Sequence, residues 1–500
     1  MEKQYLAVDM GSSSGKILLA ELTKQKRIQM REAGRFITPR VFLRGHVCIN
    51  VYEVYEKICG VLEKLGREGR APASLGIDSW AGDFGIVNPQ GELLGLPVFY
   101  RDRRTEGMTE EVEAVISYGE LYELTGQRKM CDSTLCQLLA AKKEYPELLE
   151  GGNKIMHLGD LLMYFFSGRM CSEISAASYS QLFNMRKQRW ENKVFELFGL
   201  PESIQPPIVW SGQCLGRISE ELAGRLGIGR FEIIAPPVHD TAAAGVAVPA
   251  KEGERWAFIS TGSWYLVGME LSEPANPELS FRYNLSNTGF AFGKTLVKRN
   301  VCAMWILQEC RRMWQRRGIS CDYSAIVAMA AGAEPFYGFV DPDAEDFYSP
   351  EDMTKAVVSW LEKSGQPAVE QDNIGQIARI IYESIALKCR YGLEAVKRAS
   401  VSDVDIIYVV GGTSGVDFLN KMLACALNLP VITGVSEAAA VGNVLMQAVG
   451  RGELAGEGEV REIAENSSPL KRFEPEEAGK WDARYKEFLQ ICGLEEVAPR

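Results

Sequence analysis

The sequence predicts an α/β protein built from two domains. At 500 residues and 55.5 kDa, the chain is too long to surround a single hydrophobic core. Short apolar runs alternate with amphipathic helical patterns, which is typical of α/β layering. A strand–turn–strand pattern with a Gly/Ser tip opens each half of the chain, which suggests an internal duplication. We therefore expect domains at residues 1–248 and 249–500.

The first of these patterns spans residues 5–20. Apolar residues 5–8 and 17–20 flank a polar stretch at 9–16, which predicts a β-hairpin with an amide-rich tip. Backbone amides and serine hydroxyls at such a tip can hold phosphate oxygens. A β-turn without any function would have the same composition. Asp9, where the first apolar run ends, adds a candidate Mg²⁺ ligand that would act through water.

The spacing of this tip excludes two common nucleotide-binding motifs. A Walker A loop needs four residues between its glycines and a hydroxyl residue after its lysine. Here three residues separate Gly11 from Gly15, and Ile17 follows Lys16. The dinucleotide-binding fingerprint is excluded because a strand, not a helix, is expected to follow.

The remaining elements follow from periodicity and from glycine and proline positions. Residues 249–255 are polar, contain Pro and Gly, and form our candidate link between the domains. A second Gly/Ser tip lies at Thr261–Ser263, and Gly411 and Gly412 follow a buried strand. The predicted strands cover 231–235, 256–260, 264–268 and 405–410; the predicted helices cover 301–317 (with Gly318 as its cap), 374–389, 416–428 and 481–489.

Composition and charge exclude several classes of protein. Hydrophobic residues make up 46% and charged residues 24%, which indicates a folded globular chain. A formal charge of −11 argues against nonspecific nucleic-acid binding. The absence of any CxxC pair, with only three histidines, argues against structural zinc. Without a signal-peptide pattern, or an apolar stretch near the ~20 residues of a membrane span, we expect a cytoplasmic protein with reduced cysteines and no membrane partner.

Two further clusters carry side chains suited to catalysis and sugar binding. His239-Asp240-Thr241 precedes a run of small residues, so Asp240 could be only a helix N-cap. A carboxylate at a helix N-terminus also stays ionised, as the proton acceptor of a kinase must. Residues 76–84 combine Trp80 with carboxylates, which suits a sugar ring and its hydroxyls, although Trp80 could be only a core residue.

In combination and in this order, these motifs resemble the FGGY carbohydrate kinases of the actin/hexokinase/Hsp70 ATPase superfamily. The matching stretches span nearly the whole chain. They are VDMGSSSGK, GIDSWAGDFGIV, LPVFYRDRRT, HDTAAAGVAVP, STGSWYLVG, NVCAMWILQECRR, YVVGGTSGVDFLN and SEAAAVGNVLMQAVG. The resemblance implies two actin-like ATPase (ribonuclease H-like) domains with a ligand cleft between them, and ATP and Mg²⁺ as co-substrate and cofactor.

The resemblance also assigns roles to individual residues of this sequence. Asp240 matches the catalytic base of the family. Ala81 stands where relatives often carry glycine, which leaves the choice of sugar open, and Thr413 replaces a third glycine. The implied sugar-binding residues are Trp80, Ala81, Asp83, His239, Thr241 and Asn300. The implied ATP-binding residues are Ser12, Ser13, Ser14, Gly15, Lys16, Ser263, Gln308 and Gly412.

Within the family, GIDSWxxDF, YRDxRT and the asparagine before MWxLQ point to the branch that phosphorylates the 1-hydroxyl of L-rhamnulose in rhamnose catabolism. Kinases of L-fuculose, xylulose, ribulose or glycerol share the nucleotide motifs and are the nearest alternatives. An actin-like or Hsp70-like ATPase that is not a kinase is a more remote one. The sequence carries no signal for the oligomeric state.

Overall fold

The structure is a computed structural model that describes residues 3–498 of the chain. Strands and helices alternate along most of its length. The strands are β1 Gln4–Met10, β2 Ser14–Leu22, β3 Ile28–Ile37, β4 Arg40–Leu43, β5 His46–Ile49, β6 Ser74–Ser79, β7 Phe84–Val87, β8 Lys154–His157, β9 Ser172–Glu173, β10 Phe183–Asn184, β11 Arg189–Trp190, β12 Ile208–Val209, β13 Cys214–Arg217, β14 Glu232–Ile234, β15 Trp256–Thr261, β16 Trp264–Leu271, β17 Ser286–Gly289, β18 Thr295–Cys302, β19 Ile406–Gly411, β20 Val431–Val435 and β21 Lys471–Phe473.

The helices surround these strands and reach 27 residues in the longest case. They are α1 Val51–Arg67, α2 Met108–Val115, α3 Tyr118–Thr125, α4 Thr134–Glu144, α5 Leu158–Ser167, α6 Ile174–Tyr179, α7 Asn192–Leu197, α8 Glu220–Leu226, α9 Asp240–Val246, α10 Pro277–Arg282, α11 Met304–Arg316, α12 Tyr323–Gly332, α13 Met353–Lys363, α14 Ile374–Ser400, α15 Asp417–Leu427, α16 Ala438–Gly450, α17 Glu457–Ser467 and α18 Ala478–Ile491. Within residues 3–498, none of them is long and apolar enough to cross a bilayer.

The chain forms two compact units, and neither is one continuous segment. The first unit contains the chain up to Glu252, together with residues 270–297 and 437–468. The second unit contains residues 253–269 and 298–436 and the chain from Pro469 onward. Helices α16 and α17, near the end of the sequence, therefore belong to the first unit.

A mixed sheet with strand order β13-β14-β6-β1-β2-β3 forms the centre of the first unit. Strand β1 pairs antiparallel with β2 and parallel with β6. Alternate β1 residues Leu6, Val8 and Met10 join a buried core with residues of α1 and α5. Helix α16 packs against β1 and β6. This arrangement places the ends of β1 and β6, and the start of β2, next to one another.

The second unit repeats the pattern of an antiparallel hairpin beside a parallel strand. Its strands run in the order β18-β16-β15-β19-β20-β21, with β15 antiparallel to β16 and parallel to β19. Helix α14 buries most of its residues and packs against α12 and α15. Since α-helices flank mixed sheets in both units, the predicted α/β fold is confirmed.

Most of the predicted elements are present, and several differ in their boundaries; the helix predicted at 374–389, for example, continues to Ser400. The turn of the first hairpin comprises only Gly11–Ser13, because Asp9 pairs with Lys16 and Met10 with Gly15 as strand residues. The predicted helix at 301–317 begins at Met304 instead, since β18 continues to Cys302. The residue after its C-cap, Gly318, has a positive φ of 82° and donates from its N–H to the Gln315 carbonyl, as predicted for a helix end.

Candidate active site

Hydrogen bonds within the hairpin and from Thr38 and Arg40, which follow β3, fix the turn between β1 and β2. The N–H of Gly11 donates to the Ser14 carbonyl over 3.1 Å. Thr38 donates from Oγ1 to the Gly11 carbonyl at 2.6 Å and from its N–H to the Ser13 carbonyl at 3.1 Å. The Arg40 guanidinium donates to the Ser12 carbonyl. These bonds occupy the carbonyl oxygens of the turn, while Ser13 and Ser14 remain exposed to solvent.

Glycine at position 15 has a packing reason that the sequence did not reveal. A Cβ atom built on Gly15 would lie 2.2 Å from Cζ of Phe36, which is buried in β3. No side chain can occupy that position unless the ring moves. Gly15 therefore lets β2 lie close against Phe36, whatever its part in binding phosphate.

A lysine and three carboxylates lie where β1 meets β2. The Lys16 Nζ contacts Oε1 of Glu437, just before α16, at 2.5 Å, and both side chains are partly exposed. Burial raises the pKa of Asp9 to about 7, and the negative charges of Asp240 and Glu437 add to the effect, whereas Lys16 opposes it. The carboxyl groups of Asp9 and Asp240 are therefore near enough to repel each other electrostatically.

Beside Asp9, strand β6 and helix α16 contribute a buried polar pair. Asp78 is opposite Asp9 in the parallel register and is fully buried. The Asn443 Nδ2 donates to Oδ2 of Asp78 at 2.6 Å. Burial and the charge of Asp9 raise the pKa of Asp78, and the Asn443 hydrogen bond opposes this shift. No sequence pattern assigns a role to Asp78, Glu437 or Asn443, although all three lie in the stretches that carry the family resemblance.

The candidate base Asp240 is the first residue of α9. His239 takes the N-cap position, so the alternative interpretation of Asp240 as the N-cap is off by one residue. Oδ1 of Asp240 accepts from the Thr241 N–H at 2.6 Å and from the Thr241 Oγ1 at 3.2 Å. The His239 Nε2 lies 3.6 Å from the same oxygen, and the Asp240 side chain is 35% exposed. His239 and Thr241, two of the predicted site residues, thus both contact Asp240.

Trp80 and Asp83 form a hydrogen-bonded pair in the first unit. The indole Nε1 of Trp80 donates to Oδ2 of Asp83 at 2.9 Å, and both residues are buried. Oδ2 also accepts from the Tyr100 N–H at 3.1 Å, and Oδ1 accepts from Nε2 of Gln137 at 2.9 Å. Burial raises the pKa of Asp83 to about 7, and these three hydrogen bonds oppose the shift. Ala81, between the two, is partly exposed.

In the second unit, the turn between β15 and β16 contacts α11. Ser263 donates from Oγ to Oε1 of Gln308 at 3.1 Å, so two predicted ATP-binding residues are in contact. The Ser263 carbonyl accepts from the Trp305 N–H at 3.1 Å. The start of α11 is therefore joined to this turn. Asn300 is partly exposed in β18, two residues before the strand ends.

The turn after β19 lies beside the same hairpin. Gly411 has a φ of 94°, and a Cβ there would lie 2.5 Å from the Thr261 carbonyl oxygen. Gly412 donates to that carbonyl at 3.1 Å and is exposed; a Cβ on it would approach nothing closer than 4.0 Å. Thr413 shares a hydrogen bond with the buried Tyr265 hydroxyl. Glycine at 411 is thus required by the backbone, while Gly412 leaves its outer side open to a ligand.

The side chains of residues 3–498 suit a metal ion whose ligands come mainly from a bound substrate. Within residues 3–498, no group of three or more His, Cys, Asp or Glu side chains is arranged to hold a metal ion. Mg²⁺ commonly uses one or two carboxylates, with phosphates and water as its other ligands. The mutual repulsion of Asp9 and Asp240 is what such a cation would relieve. The residues present therefore fit a Mg²⁺ ion delivered with a nucleotide.

Comparisons with known proteins agree with this chemistry. The N-terminal domain model of the FGGY family of carbohydrate kinases matches residues 4–247, and the C-terminal domain model matches residues 257–451. The rhamnulokinase of Bacteroides thetaiotaomicron is 34% identical over 98% of this chain and 99% of its own length. The rhamnulokinase of Lactiplantibacillus plantarum is 32% identical over 98% of both chains.

Solved structures of sugar and polyol kinases share the fold. A ligand-bound xylulose kinase from Lactobacillus acidophilus superposes with a TM-score of 0.79, at 14% identity, over 98% of this chain and 97% of its own. The Plasmodium falciparum glycerol kinase with ADP gives a TM-score of 0.78 at 14% identity over 99% of both chains. The predicted two-domain architecture is confirmed. The chain belongs to the FGGY family of carbohydrate kinases, enzymes that transfer a phosphoryl group from ATP to a sugar.

Proposed function

We propose that this kinase phosphorylates L-rhamnulose at its 1-hydroxyl, giving L-rhamnulose 1-phosphate and ADP in the breakdown of L-rhamnose. The main support is that relatives named rhamnulokinase align over 94–100% of this chain at 29–34% identity. We assign the reaction to the cytoplasm, where ATP is available and where cysteine thiols stay reduced.

Asp240 is our candidate for the general base that accepts the proton of the sugar hydroxyl. Its position as the first residue of α9 favours the ionised carboxylate, because the N-terminus of a helix carries a partial positive charge. The Thr241 N–H, 2.6 Å from Oδ1, stabilises the same ionised form and orients the group. This hydrogen bond, on a side chain still 35% exposed, is the observation that carries the proposal.

For the nucleotide, we propose that two turns with small residues supply the phosphate contacts. The turn at Gly11–Ser13, with Ser14, Gly15 and Lys16, would bind phosphate through amides, hydroxyls and the lysine charge. Ser263 would add a phosphate contact, and Gln308 and Gly412 would contact the adenosine side. When bound, Mg²⁺ would neutralise charge on the phosphates, with Asp9 holding it through water.

For the sugar, we propose that Trp80, His239, Thr241 and Asn300 line the binding site, with Ala81 limiting its size. Asp83 already accepts three hydrogen bonds inside the protein. We therefore propose that Asp83 contributes to sugar binding mainly by orienting the Trp80 indole.

The substrate is tested by measuring ADP release with L-rhamnulose, L-fuculose, D-xylulose, D-ribulose and glycerol under identical conditions. We expect kcat/KM to be highest for L-rhamnulose, and phosphorus NMR of the product to show a phosphate ester at carbon 1. If another ketose is preferred, that sugar would replace L-rhamnulose as the proposed substrate, and the kinase assignment would stand. ATP hydrolysis that no sugar stimulates would favour the alternative of a non-kinase ATPase.

The base is tested with Asp240→Asn, which keeps the shape of the side chain. We expect kcat to fall by about 10²–10⁴-fold, the usual contribution of a general base, with little change in either KM. Asp322→Asn is a matched control, because Asp322 is likewise a carboxylate at the N-terminus of a helix, α12 in the second unit, and is exposed. It should keep its kcat. If Asp240→Asn retains a kcat near that of the unmodified enzyme, Asp240 is not the base.

A further inference from the structure

A buried glutamate and serine at the start of α6 form one hydrogen-bonded unit. Glu173 is the N-cap of this helix and is fully buried. Its Oε2 accepts from the Ser175 N–H at 2.9 Å and from the Ser175 hydroxyl. Its Oε1 accepts from the Ser211 hydroxyl at 2.6 Å. Both oxygens of the Glu173 carboxylate thus accept hydrogen bonds.

This pair also holds the backbone just before α9. The Val238 N–H donates to Oε2 of Glu173 at 3.0 Å, and the His239 N–H donates to the Ser175 Oγ at 3.0 Å. On the opposite side, the N–H of Ser79 in β6 donates to the Val238 carbonyl at 2.8 Å. Two consecutive N–H groups and the carbonyl between them are therefore fixed immediately upstream of Asp240.

Further contacts make this attachment rigid. The ring of Tyr179, at the end of α6, packs against the His239 ring with centroids 5.4 Å apart. Buried Asp160 accepts from the Glu173 N–H at 3.1 Å, so the backbone of the N-cap is held as well. Burying a carboxylate is costly unless hydrogen bonds compensate it, and Glu173 receives four.

We propose that Glu173 and Ser175 are positioning residues that fix the direction of the Asp240 carboxylate by clamping the backbone at Val238 and His239. The inference rests on the role proposed above for Asp240. Because Asp240 follows directly in the chain and is oriented by the first turn of α9, a shift of the Val238–His239 backbone moves its carboxylate. Neither Glu173 nor Ser175 needs to touch the substrate for this effect.

The first test compares two serines that donate to the same carboxylate. Ser175→Ala removes the acceptor of the His239 N–H, whereas Ser211→Ala removes the donor to Oε1 and leaves Val238 and His239 untouched. We expect Ser175→Ala to lower kcat by about tenfold, since small misplacements of a reacting group are costly, while the KM for ATP stays the same. Ser211→Ala should shift the melting temperature by a similar amount but keep its kcat.

Rescue by a conservative variant separates positioning from general stability. Glu173→Gln keeps one oxygen that can accept from Val238 and Ser175 and places an amide opposite Ser211, so it should retain most of the kcat. Glu173→Ala should lose about 10²-fold in kcat. Should Glu173→Ala not fold, the comparison of Ser175→Ala with Ser211→Ala decides by itself.

Combining Asp240→Asn with Ser175→Ala distinguishes a failure of this inference from a failure of Asp240 as the proposed base. If Ser175 acts through Asp240, Ser175→Ala should lower the residual kcat of Asp240→Asn by less than twofold. If kcat is unchanged by Ser175→Ala, or lowered equally by Ser211→Ala, while Asp240→Asn still loses most of its kcat, the positioning role is overturned and the proposed base is not. A fully active Asp240→Asn would overturn the base itself.

Discussion

Asn443 donates from Nδ2 to Oδ2 of Asp78 over 2.6 Å, and this bond joins two residues 365 positions apart in the sequence. It connects α16 to the end of β6, beside Asp9. The same helix reaches the sheet again through Gln447, which donates to Asn443 Oδ1 at 2.7 Å and accepts from the Ser74 hydroxyl at 2.7 Å. A chain of buried amides thus attaches α16 to the strands that carry the candidate site.

Removal of this bond should destabilise the first unit. In Asn443→Ala the buried Asp78 carboxyl would lose its donor, and its other oxygen has no hydrogen-bond partner among residues 3–498. We expect the free energy of unfolding to fall by about 1–3 kcal/mol in urea titrations at pH 8. Asp78→Asn is the matched comparison, because it can still accept from Asn443 and removes a buried charge, so it should be neutral or stabilising. Equal losses for both variants would contradict this account.

The ion pair between Lys16 and Glu437 should compete with ATP for the lysine. Lys16→Met should raise the KM for ATP about tenfold, the size of one charge-assisted hydrogen bond, if Lys16 binds phosphate. Glu437→Gln frees the lysine from a partly exposed pair and should lower that KM by about two- to fivefold. In the double variant, adding Glu437→Gln to Lys16→Met should not change the KM for ATP any further. Additive effects in steady-state assays would show that the two residues act independently.

The elements that the sequence predicted well are those with a local signal. The two hairpins have apolar runs on both sides of a small-residue tip, and α14 has an apolar stripe from Ile374 to Cys389, so neighbouring residues alone specify them. The interpretation of Asp240 as the N-cap of α9 is off by one residue, because His239 has an extended φ and ψ that no sequence pattern reveals.

Long-range packing explains what the sequence could not predict. Nothing near Asp78 in the chain indicates that Asn443 would be its partner, since the pairing arises only when α16 packs against β1 and β6. Likewise, Asp83 could be recognised as a polar residue beside Trp80, but not as a buried group with three donors. The hydroxyls and amides that surround a side chain are set by tertiary structure rather than by the neighbouring sequence.

The pairing of Asp83 with Trp80 should control sugar binding. Asp83→Ala removes the acceptor of the Trp80 indole N–H, so the indole should lose its fixed orientation. We expect the KM for the sugar to rise about tenfold while the KM for ATP is unchanged. Trp80→Phe removes the indole N–H and should act in the same direction. A rise of the sugar KM in Trp80→Phe alone would exclude an orienting role for Asp83.

The raised pKa of Asp9 predicts how the stability of the ligand-free protein depends on pH. A carboxyl group with a pKa of about 7 in the folded state and about 4 in the unfolded chain binds its proton more tightly when folded. The free energy of unfolding should therefore decrease as the pH rises from about 4 to about 7, and level off above that.

Asp9→Asn should lack this dependence. Measured by urea unfolding between pH 5 and pH 8.5, its stability relative to the unmodified protein should increase with pH and reach a plateau near about pH 8. The charge of Glu437 contributes to the raised pKa of Asp9. In a protein that carries only Glu437→Gln, the free energy of unfolding should therefore decrease at lower pH than in the unmodified protein. A stability difference between Asp9→Asn and the unmodified protein that is the same at every pH would mean that Asp9 has an ordinary pKa in the folded state.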